Sequence, residues 1–286
     1  MNKQSPHEPK PFEHIELAMG TGFSFHGRSS LSDSDTSIIL NQACAILHEA
    51  DRIFSLYKPE SPLSRLARGE TSVAECPPVV NQIWDACEAW EKVTDGWFSA
   101  FTPQHTFDPS GIVKTWAAKR AAEYVAEQGI IDFTLNAGGD VLISDGATEA
   151  VDWRMGISKP VSIAADGAGV LTVVDLSDTA FRAMATSGSA ERGSHIWDPK
   201  FGGLIAADDK PERLVQVSVI ARDLVTADVW ATAAFAEGER AVEHLNRVAE
   251  AGRAETGTRT IEALFVYADG QLAATDGFVH LFAKAD

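Results

Sequence analysis

Asp132-Phe133-Thr134-Leu135-Asn136-Ala137-Gly138-Gly139-Asp140-Val141-Leu142-Ile143-Ser144 is the stretch whose reading decides the fold. Apolar residues run up to a Gly-Gly pair and resume beyond Asp140, which predicts strands over residues 132–136 and 141–144. The glycines suit a hairpin turn between them, and they would equally let backbone approach a ligand closely. Before this stretch, residues 111–128 carry a helical pattern that Gly129 ends. After it come strand patterns at 153–157, 170–175, 179–185 and 214–221, with no helix between them. Two helices follow at 226–237 and 239–250, then strands at 260–267, 271–275 and 279–282. Towards the N-terminus, alternation through Ile15, Leu17, Met19, Phe23 and Phe25 predicts a hairpin over 14–26 bent at glycines. Apolar spacing predicts helices at 35–54 and 78–93, and Ser61-Pro62 starts a short one. Helices come early, strands dominate later, and β and α do not alternate regularly. The expected class is α+β, with largely antiparallel sheets and packed helices. A flexible leader over residues 1–11 precedes one integrated domain over 12–286, and 252–257 is the only other flexible loop expected.

Composition narrows the partners. The chain has 286 residues, 24 Lys+Arg against 41 Asp+Glu, and a formal net charge of −17. Nucleic acid and anionic membranes are held mainly by cationic side chains, so neither is expected as a partner. No stretch is apolar for the roughly 18 residues a membrane-spanning helix needs. The polar, proline-containing N-terminus has no apolar core, so a cytoplasmic location is expected. Cys44, Cys76 and Cys87 lack metal-ligand spacing and read as buried, inert thiols.

Four segments combine small residues with hydroxyl, carboxylate or ammonium groups. Ala227-Asp228-Val229-Trp230-Ala231-Thr232 places Asp228 and Thr232 four apart on a helix, on one face. Such oxygens suit Mg²⁺; alternatively Thr226 caps the helix, Asp228 complements its dipole and Thr232 bonds back to a carbonyl. Asp108-Pro109-Ser110-Gly111-Ile112-Val113-Lys114 enters a helix with amides at Ser110 and Gly111 and a lysine one turn on, which is an anion site or a capped helix with a solvated lysine. Ala185-Thr186-Ser187-Gly188 precedes Ser194-His195, where the imidazole is either a base or structural. Ala18-Met19-Gly20-Thr21-Gly22 completes the set. Tyr57, Trp97 and Phe98 are aromatics in loops that either stack on a flat ring or pack in the core.

In this order, with Ser55-Leu56-Tyr57-Lys58-Pro59, Thr94-Asp95-Gly96, Asn136-Ala137-Gly138-Gly139-Asp140 and Glu191-Arg192-Gly193-Ser194-His195-Ile196-Trp197-Asp198-Pro199, these segments resemble the ApbE-type FAD:protein FMN transferase family. The resemblance implies a T-fold-like α+β architecture. It implies cleavage of FAD, attachment of FMN to a Ser or Thr hydroxyl of an acceptor protein, and release of AMP; some members mainly hydrolyse FAD. It also implies site roles. Met19 and Tyr57 would contact the flavin; Trp97, Phe98 and Ser99 would line the dinucleotide beside Gly111; Lys114 and Thr186 would lie near adenosine or phosphate. Asp228, Thr232 and a carbonyl at Ser110 or Val113 would hold Mg²⁺, and His195 would be the base. A flavin-binding protein without turnover is the remaining alternative, suggested by two departures from the family pattern. Pro109-Ser110 stands where Phe-Gly is usual, and Ser99 stands where an aspartate is common.

Overall fold

The computed structural model describes residues 8–102, 106–146, 153–164, 169–188, 196–200, 202–203, 205 and 213–283. They fall into two compact units, residues 1–83 with 112–150, and residues 84–111 with 151–286.

In the first unit, β1 (Lys10–Ala18) and β2 (Thr21–Ser29) pair antiparallel from Lys10↔Ser29 to Ala18↔Thr21. β1 starts inside the segment expected to be leader. Met19 and Gly20 form the two-residue turn, both at positive φ (50° and 72°), the geometry that matches the twist of paired strands. The hairpin forms where alternation predicts it, but Ile15 and Leu17 face outward at 61% and 73% exposure. His14, Glu16 and Ala18 take the more buried side instead. α1 (Asp33–Phe54) follows, its first turn capped by the Ser32 hydroxyl, which accepts from the Asp35 amide; Leu40, Ala43, Leu47 and Ile53 are buried along one face. α2 (Pro62–Ala67) starts as expected, with Ser61 as cap and proline in the first turn. α3 (Pro78–Val93) starts in this unit and belongs to the second from Trp84 on, and α4 (Ser110–Glu127) belongs to the first from Ile112 on; β3 (Asp132–Ala137) and β4 (Asp140–Ile143) follow. The pairing Ala137↔Asp140 leaves Gly138 and Gly139 as a two-residue turn at φ 62° and 99°, values open mainly to glycine. The sheet order is β1-β2-β3-β4, every neighbour antiparallel.

The second unit holds the hairpin of β5 (Arg154–Ser158) and β6 (Val170–Asp175). Beside it is an antiparallel sheet of β7 (Ala183–Gly188), β8 (Leu214–Ala221), β9 (Ile261–Tyr267) and β10 (Leu272–Ala274), in that order. α5 (Leu224–Glu237) packs on β7 and β8, and α6 (Ala241–Thr256) packs on β9. Every residue of β8 is buried, so both of its faces are covered, with Gln216 and Ser218 the two polar residues in an otherwise apolar strand.

Three expectations about elements are corrected. The strand expected from 179 begins at Ala183, because Thr179 forms a turn: its hydroxyl donates to the Leu176 carbonyl and accepts from the Phe181 amide. The loop expected over 252–257 is the last turn of α6. Gly252 is there for packing, since a Cβ would meet the Thr260 hydroxyl at 2.2 Å. The strand expected over 279–282 is a 3₁₀ turn, Phe278–Leu281, anchored by buried Phe278 and Leu281. The architecture is α+β, as the sequence implied. Among the described residues, no helix is long and apolar enough to cross a membrane.

Candidate functional site

The residues singled out in the sequence lie in both units, and each is placed within its own. α5 begins at Leu224 because Asp223 caps it, its carboxylate accepting from the Thr226 amide at 3.1 Å. The cap is therefore Asp223, and Thr226 is a donor to it. Asp228 lies beyond the first turn, where the pull of the helix dipole has fallen off, and is buried at 7% exposure. One turn on, the Thr232 hydroxyl lies 3.2 Å from the Ser187 hydroxyl of β7. A buried carboxylate followed by two paired hydroxyls is an all-oxygen donor set, which fits a hard cation such as Mg²⁺.

Along β7 the side chains alternate. Ser187 faces α5, whereas exposed Thr186 pairs with the Ser218 hydroxyl of β8 at 2.8 Å. Ser218 also meets the Gln216 amide at 3.4 Å, and that amide donates to the Ser158 carbonyl at 3.0 Å. At Gly188 a Cβ would stand 2.6 Å from the Val215 carbonyl. The glycine allows close β7–β8 pairing.

Thr94-Asp95-Gly96 is the stop of α3. Asp95 and Gly96 are left-handed, at φ 51° and 77°, and the Gly96 amide returns to the Glu91 carbonyl at 2.7 Å. Buried Thr94 accepts from the Phe98 amide at 3.0 Å and so fixes the loop that carries Trp97, Phe98 and Ser99. Trp97 and Phe98 are buried. The Lys200 ammonium sits 3.9 Å from the Trp97 ring centroid, a cation–π contact. Ser99 accepts from the Phe101 amide at 3.1 Å. The Phe98 ring lies 3.1 Å from where a Cβ on Gly111 would be, so a side chain there would press the ring a few tenths of an ångström aside. The Ser110 amide, expected to be open to an anion, donates to Asp108 at 3.0 Å. The protein's own carboxylate takes that position.

In the first unit, Met19 occupies the β1–β2 turn and Tyr57 is 98% exposed, which rules out core packing for Tyr57. Val113 is buried in α4, and the Lys114 ammonium ion-pairs with Asp140, which is buried at the end of the Gly-Gly turn. Lys114 is thus not a solvated helix lysine. His195 lies outside the described residues. Beyond it, the Asp198 amide donates to the Gly203 carbonyl at 2.8 Å and the Ile205 amide to the Ile196 carbonyl at 2.9 Å. Cys44, Cys76 and Cys87 are free and buried, and burial pushes the Cys44 and Cys87 thiols up to about 12.

Sequence reasoning missed Ser187 as the partner of Thr232, and Asp140 as the partner of Lys114. Strand alternation, which separates Ser187 from Thr186, is the signal that bears on the first. Lys200 and Ser218 carry no sequence signal, since only tertiary packing selects them.

The model of the ApbE family matches residues 100–254, more than half of the chain. A curated relative from Vibrio cholerae named "FAD:protein FMN transferase" is 32% identical over 157 residues, 51% of this chain and 44% of that protein. One of the same name from Escherichia coli K12 is 30% identical over 154 residues, 51% of this chain and 41% of that protein. The chain spans less than half the length of these curated relatives. Among solved structures, the flavin transferase ApbE from Vibrio cholerae superposes with a TM-score of 0.75 at 20% identity, covering 96% of this chain and 100% of that one. The ApbE protein from Thermotoga maritima gives 0.73 at 20% identity with the same coverage. These two likenesses bear on the fold alone; the family match over residues 100–254 shows that the chain belongs to the ApbE family.

Proposed function

We propose that this chain is a Mg²⁺-dependent FAD:protein FMN transferase. The observation that carries the reading is the oxygen set of Asp228, Thr232 and Ser187 on α5 and β7, within the stretch the family model matches. The names of its relatives agree with it.

Asp228 and Thr232 would hold Mg²⁺, with a main-chain carbonyl at Ser110 or Val113. Bound there, the ion supplies charge neutralisation for the diphosphate. The buried Trp97 and Phe98 give the dinucleotide an apolar wall, and Met19 and Tyr57 are the flavin contacts. The Lys114–Asp140 pair and Thr186 serve the phosphate and adenosine side. His195 takes the proton from the acceptor Ser or Thr hydroxyl as its oxygen bonds to the FMN phosphorus, and the bond to AMP breaks. AMP leaves with the bridging oxygen.

Intact-mass measurement of a candidate acceptor protein, incubated with this chain, FAD and Mg²⁺, tests the reading. The expected result is an acceptor heavier by one FMN, lost with chelator. Release of FMN and AMP with no mass gain on any acceptor would overturn it in favour of a hydrolase.

A further inference from the structure

β1 presents an unusual face to α1. Strand alternation normally sends apolar residues inward, yet Ile15 and Leu17 face solvent while His14 and Glu16 point to the covered side. Opposite them on α1 stand Cys44 and, one turn later, His48. His14 Nε2 lies 3.3 Å from Cys44 Sγ and 3.9 Å from Glu16 Oε2, and His48 Nε2 lies 3.1 Å from Glu16 Oε1. The ligand atoms of His14, Glu16 and Cys44 are all within 4.8 Å of one another, the only such group of three among the described residues.

We propose that His14, Glu16 and Cys44 form a binding site for one metal ion of the Zn²⁺ class, with water in the fourth position and His48 holding the Glu16 carboxylate from outside. Tetrahedral zinc with bonds of about 2.0–2.3 Å keeps its ligand atoms roughly 3.3–3.6 Å apart. The 3.3 Å contact between His14 and Cys44 is already at that spacing, and the 3.9 Å contact between His14 and Glu16 Oε2 is a few tenths of an ångström beyond it. Thiolate and imidazole favour Zn²⁺ over Mg²⁺. The site therefore differs in chemistry from the oxygen set on α5. The ion has a way in: the side chains of His14, Glu16 and His48 are 24%, 30% and 52% exposed, while Cys44 closes the inner end. Bound there, the ion ties β1 to α1.

The full chain, stripped with chelator, is titrated with Co²⁺ alone and then with Zn²⁺. One equivalent of Co²⁺ is expected to produce a thiolate charge-transfer band and intense tetrahedral visible bands, both erased by Zn²⁺. Cys44→Ser should abolish the charge-transfer band, and Glu16→Gln and His48→Ala should weaken Co²⁺ binding by about tenfold or more. The last two sites are solvent-accessible, so these variants keep the test valid should Cys44→Ser fail to fold. Asp228→Ala should leave the band intact, which separates this site from the proposed transferase activity. Absence of the band in the unaltered protein, its survival in folded Cys44→Ser, or unchanged affinity in Glu16→Gln and His48→Ala would each overturn the proposal.

Discussion

A methyl group added at Gly188 would stand 2.6 Å from a backbone oxygen, that of Val215, and neither strand can yield without losing register. Gly188→Ala is expected to destabilise the protein by about 1–3 kcal/mol, as overpacking does. A urea midpoint that falls accordingly supports a role in strand pairing; an unchanged midpoint with weakened FAD binding would assign the glycine to the ligand instead. The residue scale also shows what the sequence could reveal. The Asp228–Thr232 spacing was legible because a helix fixes which residues share a face. Ser187 was not, because its meeting with Thr232 depends on how α5 lands on β7. The Lys114–Asp140 pair is similar: both residues were conspicuous, but only the packed first unit brings them together.

At the scale of elements, signals with a local cause are legible in the sequence. Ser61 and the following proline start α2, and Thr94-Asp95-Gly96 stops α3. The failures came where a local signal served a distant partner. Gly252 looked like a loop residue, yet it makes room for Thr260 within α6. Ile15 and Leu17 marked a strand correctly but gave no indication of which face is covered. α5 offers a direct check, since its start depends on one carboxylate. Asp223→Ala should cost about 1 kcal/mol, read by chemical denaturation, and should weaken Mg²⁺-dependent turnover by loosening the helix that carries Asp228. A variant as stable as the parent would show that packing of α5 on the sheet, with no help from the cap, sets where the helix begins.

For the molecule as a whole, a net charge of −17 bears on how a diphosphate can be held at all. Among the described residues, the lysine in the family motif, Lys114, is already committed to Asp140. In the proposed transferase, charge compensation for FAD would therefore fall largely to a divalent ion at the Asp228 and Thr232 oxygens. The most direct measurement is the rate of AMP release from FAD by the full chain across a Mg²⁺ titration, for the parent and for Asp228→Asn. The parent is expected to need Mg²⁺ and to stop with chelator, and the variant to be slower by about 100-fold or more at the same Mg²⁺, a loss of about 2.7 kcal/mol or more. AMP release that persists in chelator, or a variant as fast as the parent, would contradict the account.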